Sequence, residues 1–156
     1  MEKTVNFEQY KFLKAKALEL AEQEGSPTIN PQQLNPILLA YIGDAVFSLY
    51  VRMRLLPLSS HVRVLHDLGA RMVSAVMQAK AMDAIVDSLN PEESVIVRRG
   101  RNAKSSVPKS ATVREYRQGT AFEALIGWLF LTEQEMRLEE LLERSFLIIR
   151  AETEKK

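Results

Sequence analysis

The stretch LLAYIGDAVFSLYV, residues 38–51, is apolar throughout except for the single carboxylate of Asp44. The nearest charged residues are Glu24 before it and Arg52 after it. Its length and composition predict a strongly apolar helix. An unpaired carboxylate buried in such a helix is costly unless it is protonated, hydrogen-bonded or paired with a cation. Asp44 therefore requires a physical explanation.

A second stretch, QGTAFEALIGWLFLT at residues 118–132, repeats this pattern with Glu123 as its only charge. Both acids share a helical face with small or apolar residues, by spacing: Ala40, Gly43 and Phe47 with Asp44, and Gly119, Thr120 and Gly127 with Glu123. Glycine inside a helix costs about 1 kcal/mol relative to alanine. Glycines beside both acids therefore indicate that the helix backbone comes close to another part of the molecule. If the two helices cross at these small faces, the two carboxylates converge.

Two converging carboxylates repel each other unless a cation lies between them. Ligands that are all oxygen suit Mg²⁺, with Mn²⁺ as a substitute. For either acid alone, the exposed edge of an amphipathic helix is the better interpretation. The occurrence of both favours a divalent-metal site formed by Asp44 and Glu123.

Composition is that of an ordinary globular chain. The 156 residues include 46% hydrophobic and 26% charged residues and no cysteine, which favours one domain over 1–156 with frayed ends at 1–5 and 152–156. The absence of cysteine and of an apolar leader predicts a cytoplasmic protein. Prolines interrupt the uncharged run 25–43, so we expect no membrane span.

Only helices are predicted, which gives an all-α fold. No stretch alternates as a strand would. The expected helices cover residues 6–24, 36–56 with Asn35 as N-cap, a run from Ser59 or Ser60 through Met77, 81–89, a helix from Asn90 to about Gly100, 112–132 and 134–151.

Positive charge is concentrated in residues 98–118, RRGRNAKSSVPKSATVREYRQ. This segment carries a net charge of +6, so the rest of the chain carries −5. Such a distribution predicts an electrostatic face.

These motifs resemble those of a known family. YIGDAVFSLYV (41–51) resembles the signature of the ribonuclease III endonuclease domain, and TAFEALIGWLFL (120–131) resembles that family's second acidic motif. We expect a catalytic domain without a double-stranded-RNA-binding domain, and in this respect the chain resembles the short Mini-III branch of the family. The resemblance implies a homodimer that hydrolyses double-stranded RNA with Mg²⁺ and matures 23S ribosomal RNA precursor, with ribosomal-protein assistance left open. It also implies that Asp44 and Glu123 are catalytic.

Two departures from the family pattern support an alternative. The family has further acids at the positions of Ala40 and Thr120. The alternative interpretation is therefore a catalytically degraded scaffold that binds RNA without cutting it. A helical nucleotide pyrophosphohydrolase is disfavoured, because such enzymes pair acids one turn apart on a single helix.

Other residues receive narrower predictions. RNA contact is expected from the basic residues Arg98, Arg99, Arg101 and Lys104, and more weakly from Lys109 and Arg114. Phe47, Tyr50 and Val51 are assigned either to the core or to a dimer interface. His61 and His66 are interpreted as ordinary surface or partly packed side chains.

Overall fold

The computed structural model describes residues 8–103 and 106–155, with side chains described from residue 12 onward. The chain divides into two compact units, Met1–Asn30 and Pro31–Lys156. The described residues contain seven α-helices and no strand. The predicted all-α fold is therefore confirmed.

The first unit contains one helix, α1 (Glu8–Gln23). The chain leaves this helix through Gly25, whose φ of +90° is in the left-handed region that glycine adopts without a Cβ penalty. The predicted end of the helix is confirmed at this glycine. Predicted helical residues 6 and 7 lie outside the described part of the chain.

The second unit contains six helices joined by short connections. Their bounds are α2 Pro36–Leu55, α3 Val62–Met72, α4 Ala75–Ile85, α5 Pro91–Arg101, α6 Val113–Leu131 and α7 Glu135–Glu154. Short 3₁₀ turns occupy Pro31–Gln33, Leu56–Leu58 and Val86–Ser88. Helix α7 continues three residues beyond its predicted end at 151.

The predicted N-caps of α2 and α5 are confirmed. The Asn35 side chain accepts a hydrogen bond from the Ile37 amide at 2.9 Å. Asn90 and Glu93 form a reciprocal capping box. Both helices have proline in their first turn, where its missing N–H costs nothing.

The helix predicted from Ser59 or Ser60 through Met77 is wrong in its bounds. The helix ends at Met72 with Val73 as its C-cap. The Ser74 side chain then caps α4 by accepting a hydrogen bond from the Met77 amide at 3.3 Å. Helix α3 begins only at Val62, because the Ser59 hydroxyl accepts from the His61 amide and forms a turn. Apolar spacing continues across the break, which concealed it in the sequence. The helix predicted over 81–89 is the end of α4 and a 3₁₀ turn.

Helix α6 is the centre of the second unit and packs against α2, α4, α5 and α7. Its large side chains Phe122, Leu125, Ile126, Trp128 and Leu129 are buried. The rings of Phe47 and Phe122 meet edge to face, with centroids 4.9 Å apart.

Phe47, Tyr50 and Val51 were predicted to belong either to the core or to a dimer interface, and two of the three belong to the core. Phe47 and Val51 are fully buried within the single chain. Tyr50 is half-buried, and its hydroxyl donates to Glu143 of α7 at 2.6 Å.

Helix α2 has one packed face and one exposed face. The packed face includes Leu39, Gly43 and Phe47. The opposite face exposes large apolar side chains at Leu38, Tyr41, Leu49 and Met53, and Leu56 is exposed in the turn that follows. By length and composition alone, Pro36–Leu58 could cross a membrane. The core helix of a globular protein has the same length and composition.

Candidate active site

Helices α2 and α6 cross with their backbones in contact at two glycines. A Cβ atom on Gly43 would overlap the carbonyl oxygen of Glu123, and one on Gly127 would overlap the carbonyl oxygen of Leu39. No residue larger than glycine fits either position without a shift of the backbone. The close approach predicted from these glycines is present, and it places Asp44, the neighbour of Gly43, beside Glu123.

The side chains of Asp44 and Glu123 hydrogen-bond to each other. Asp44 is exposed, whereas Glu123 is largely buried. Burial raises the pKa of Glu123 to about 9, and the hydrogen bond and negative charge of Asp44 act in the same direction. At neutral pH and without a cation, the pair therefore holds a proton. This is how the chain accommodates two isolated acids.

Gln78 is a site residue that the sequence analysis missed. It lies in α4, its side chain is 2% exposed, and it hydrogen-bonds to Glu123 in a way that lowers the pKa of that carboxyl. No sequence signal marked Gln78, because it is uncharged and because the predicted helices left residue 78 in the connection after Met77.

The two positions that depart from the family pattern lie in α2 and α6 and are buried. Ala40 is 8% exposed and Thr120 is 7% exposed. The Thr120 hydroxyl donates to the carbonyl oxygen of Tyr116 at 3.0 Å, which leaves its lone pairs free to accept a hydrogen bond. Within the described residues, no group of three or more His, Cys, Asp or Glu side chains could hold a metal ion.

The donor set at this site fits a hard divalent cation that retains several water ligands. Both acidic ligands are oxygen donors, and Asp44 is open to solvent. Mg²⁺ is commonly held by one or two carboxylates plus water and substrate phosphate. Asp44 and Glu123 are the residues that could hold it.

The basic segment contains one hydrogen-bonded network that joins three helices. Arg101 of α5 donates to Gln118 of α6 at 2.8 Å. Gln118 and Arg114 both donate to Asp83 of α4, at 2.8 Å and 2.7 Å. The network fixes these side chains relative to α6, the helix that carries Glu123.

A cavity of about 550 Å³ opens beside this network. It is lined by Arg101, Asn102, Val113, Arg114, Arg117 and Gln118. Three guanidinium groups at one cavity form a site suited to phosphate. Arg117 belongs to the basic segment but was not among the predicted RNA contacts. Its position in the lining of this cavity makes it a further candidate for phosphate binding.

The remaining predicted RNA contacts lie in different environments. Arg98 and Lys109 are exposed. Arg99 is half-buried and donates to the carbonyl oxygens of Gln32 at 3.3 Å and Leu34 at 2.9 Å. Lys104 lies outside the described residues.

The two histidines are exposed on or next to α3 and take no part in the acidic pair. His61 is the residue before α3, and His66 lies within it beside a groove of about 350 Å³ between α2 and α3.

The match to known proteins agrees with this geometry. The family model described as the ribonuclease III domain matches residues 38–134, which include α2 except its first two residues, the whole of α6, and the acidic pair. The chain therefore belongs to the ribonuclease III family, and it is an endoribonuclease of the class that cuts double-stranded RNA.

Similar curated proteins narrow the family to one branch. The chain is 45% identical over 118 residues to Mini-ribonuclease 3 of Thermoanaerobacter sp. (strain X514), covering 74% of this chain and 83% of that protein. It is 41% identical over 133 residues to Mini-ribonuclease 3 of Brevibacillus brevis, covering 84% of this chain and 99% of that protein. The resemblance to the Mini-III branch is confirmed.

A solved structure shares the fold. The crystal structure of a protein from Fusobacterium nucleatum superposes with a TM-score of 0.68 at 30% identity, covering 71% of this chain and 92% of that one.

Proposed function

We propose that the protein is a Mg²⁺-dependent endoribonuclease that hydrolyses phosphodiester bonds in double-stranded RNA, with Mn²⁺ as a substitute cation. The observation that carries the proposal is the Asp44–Glu123 pair, formed by two helices in backbone contact and open to solvent on the Asp44 side. Neither His, Ser nor Cys is required as a nucleophile.

The two carboxylates bind the cation, and the glycine crossing fixes their separation. When bound there, a divalent cation lowers the pKa of a water and stabilises charge on the phosphate oxygens. Glu123 must give up its proton before it can act as an anionic ligand, because its pKa of about 9 keeps it protonated near neutral pH. The Thr120 hydroxyl is available to orient a water at the pair.

The basic segment supplies RNA binding. The arginines at the 550 Å³ cavity, Arg101, Arg114 and Arg117, bind backbone phosphates, and the exposed Arg98 extends this surface. A-form RNA is recognised mainly through shape, phosphates and 2′-hydroxyls, so contacts of this kind do not require base-specific side chains.

The functional unit we propose is a homodimer formed through the exposed apolar face of α2. Leu38, Tyr41, Leu49 and Met53 lie on one side of that helix, Leu56 follows in the next turn, and Tyr41 is 75% exposed. A patch of this kind on a soluble chain marks an interaction surface. Two active sites facing opposite strands would leave a short 3′ overhang. Light scattering should give a dimer for the wild type and a monomer for Tyr41→Arg.

The physiological substrate we propose is 23S ribosomal RNA precursor in the cytoplasm, with or without assistance from a ribosomal protein. Its support is membership of the Mini-III branch together with a cysteine-free composition that suits a reducing compartment.

Cleavage of a perfect RNA duplex tests the proposal. With Mg²⁺, the wild type should cut both strands, whereas Asp44→Asn and Glu123→Gln should bind the duplex and leave it intact. The exposed acids Asp67 and Glu139 provide matched controls, and Asp67→Asn and Glu139→Gln should cut normally.

A second function is favoured by the neutral residues at Ala40 and Thr120. If the wild type binds duplexes, including ribosomal precursor RNA, but cuts none of them in Mg²⁺ or Mn²⁺, the protein is an RNA-binding scaffold with a degraded site.

A further inference from the structure

Gln118 is a buried amide in the lining of the arginine cavity. Its residue in α6 is 7% exposed. Its Oε1 atom accepts from Nε of Arg101 at 2.8 Å, and its Nε2 atom donates to Oδ1 of Asp83 at 2.8 Å. A guanidinium only donates hydrogen bonds and an ionised carboxylate only accepts them. The two partners therefore hold the amide in one orientation.

The contact with Gln118 engages Arg101 through Nε, the guanidinium nitrogen nearest the main chain. The two terminal nitrogens form a fork that matches a pair of phosphate oxygens. Arg101 is half-buried and lines the cavity. A guanidinium already fixed at Nε has fewer rotamers to lose when this fork binds a phosphate.

Asp83 holds the other end of the amide from a different helix. It is an exposed residue of α4, and its Oδ1 atom accepts from Gln118 at 2.8 Å and from Nη2 of Arg114 at 2.7 Å. By charge alone, a carboxylate among arginines weakens the binding of an anion. As a hydrogen-bond acceptor it has a second effect, because it ties two side chains of α6 to α4.

We propose that Gln118 is a positioning residue, which holds the guanidinium of Arg101 in the orientation that binds an RNA backbone phosphate, with Asp83 as the anchor of Gln118. This inference rests on the phosphate-binding role proposed above for the arginines of the cavity. It gives a neutral residue and an acidic residue a part in RNA binding.

The first test measures the affinity for a fluorescently labelled, perfect RNA duplex by anisotropy, in EDTA and at fixed ionic strength. Gln118→Met keeps a long unbranched side chain and the charge of the chain, and removes both hydrogen bonds. Ordering one long side chain on binding costs about two- to tenfold in affinity, and we expect a loss of that size.

Gln134→Met is the matched control for the loss of an amide. The Gln134 side chain is half-buried, and its Nε2 atom donates to the Thr132 hydroxyl at 2.8 Å, next to α7 and outside the basic segment. This variant should bind the duplex as the wild type does. Melting temperatures of all variants identify any that is not folded at the temperature of the binding measurement.

A double-mutant cycle shows whether Gln118 acts through Arg101. Arg101→Met alone should weaken duplex binding, and adding Gln118→Met to it should cause no further loss, because the side chain to be positioned is gone. In an Arg117→Met background, Gln118→Met should cause its full loss. A general structural role would instead lower the affinity by the same factor in both backgrounds.

A pair of substitutions at Asp83 keeps the test independent of any change in the buried amide. Asp83→Asn and Asp83→Leu remove the same charge at an exposed position, but only asparagine keeps an acceptor for Gln118 and Arg114. We expect Asp83→Leu to bind the duplex severalfold more weakly than Asp83→Asn. Charge alone predicts equal affinities for the two variants.

Nuclear magnetic resonance provides a readout without RNA. The ¹⁵Nε–¹Hε signal of Arg101, identified by its absence in Arg101→Met, should shift in Gln118→Met, because the hydrogen bond at Nε is lost. The same signal should keep its position in Gln134→Met.

The outcomes separate this inference from the function on which it rests. If Arg101→Met weakens duplex binding but Gln118→Met does not, or if the losses in the double variant multiply, the positioning role is overturned. Equal affinities of Asp83→Asn and Asp83→Leu overturn the anchoring role. If Arg101→Met, Arg114→Met and Arg117→Met all bind the duplex as the wild type does, the proposed phosphate site itself is overturned.

Discussion

Gly43 of α2 and Gly127 of α6 each lie against the backbone of the opposite helix, so the crossing has no side chain between the two main chains. The helices carry Asp44 and Glu123, the two acids of the candidate active site. The separation of these acids is therefore set by two positions that can only be glycine.

The first prediction concerns these glycines. Gly43→Ala and Gly127→Ala should each lower the free energy of unfolding by about 3 kcal/mol or more, because a methyl group would overlap a carbonyl oxygen in a packed interior. Urea unfolding measures the change. Gly69→Ala in α3 is the control, because the nearest atom to its Cβ would be 3.8 Å away. It should be neutral or stabilising by up to about 1 kcal/mol, and equal losses at all three glycines would contradict the argument.

The second prediction concerns the raised pKa of Glu123. In the unfolded chain this carboxyl ionises near its ordinary value of 4.5, whereas in the folded metal-free protein it ionises near 9. The unfolded state is therefore increasingly favoured as pH rises between these values. Glu123→Gln, which cannot ionise, should be more stable than the wild type by about 1–3 kcal/mol at pH 7 in EDTA.

The same comparison at pH 4.5 provides the control for this prediction. The difference in unfolding free energy between Glu123→Gln and the wild type should be smaller there, because fewer unfolded chains lose the Glu123 proton. A variant that is equally stabilised at both pH values would show that the gain does not come from ionisation.

The third prediction concerns a buried ion pair away from the site. Glu93 of α5 is fully buried, and Arg137 of α7 donates to both of its carboxylate oxygens at 2.9 Å. Burial alone would raise the pKa of Glu93, but Arg137 and the Asn90 backbone hold it below its ordinary value. Arg137→Met should cost about 3–5 kcal/mol, because it leaves a buried carboxylate unpaired.

The exposed pair Arg114–Asp83 is the comparison for this loss. Arg114→Met should change stability by less than about 1 kcal/mol, since both partners face water. In Arg137→Met, a second substitution of Glu93→Gln should restore part of the lost stability, because it removes the unpaired charge. A further loss instead would contradict this account.

The fourth prediction separates two neighbouring arginines. Arg98→Met should weaken binding to duplex RNA severalfold at unchanged melting temperature, because the side chain is exposed. Arg99→Met should lower the melting temperature by a few degrees, because it breaks the bonds to the carbonyl oxygens of Gln32 and Leu34. Fluorescence anisotropy with a labelled duplex and differential scanning calorimetry measure the two effects. The reverse assignment of effects would contradict these roles.

Much of the geometry of the candidate site could be predicted, because its residues depart from the usual composition of a helix. Asp44 and Glu123 are lone charges in apolar helices, and Gly43 and Gly127 are poor helix formers in helix interiors. Each anomaly indicates a requirement of the folded state. The N-caps at Asn35 and Asn90 were likewise predictable, because capping is local.

Features that depend on tertiary contact could not be predicted in this way. The break before Ser74 interrupts no apolar pattern, so the sequence predicted a continuous helix across it. Gln78 carries no charge, and its effect on the pKa of Glu123 depends on the packing of α4 against α6 at Gly119. The internal role of Arg99 was missed because a basic residue within a basic run gives no sign of its own partner.

The bonds of Arg99 also bear on how strongly salt opposes RNA binding. Each phosphate neutralised by a cationic side chain releases condensed counterions, so affinity falls with salt in proportion to the number of such contacts. A guanidinium committed to the carbonyl oxygens of Gln32 and Leu34 releases none. For the RNA contact proposed for residues 98–118, the fall of affinity with salt should therefore correspond to fewer phosphate contacts than the segment has basic residues.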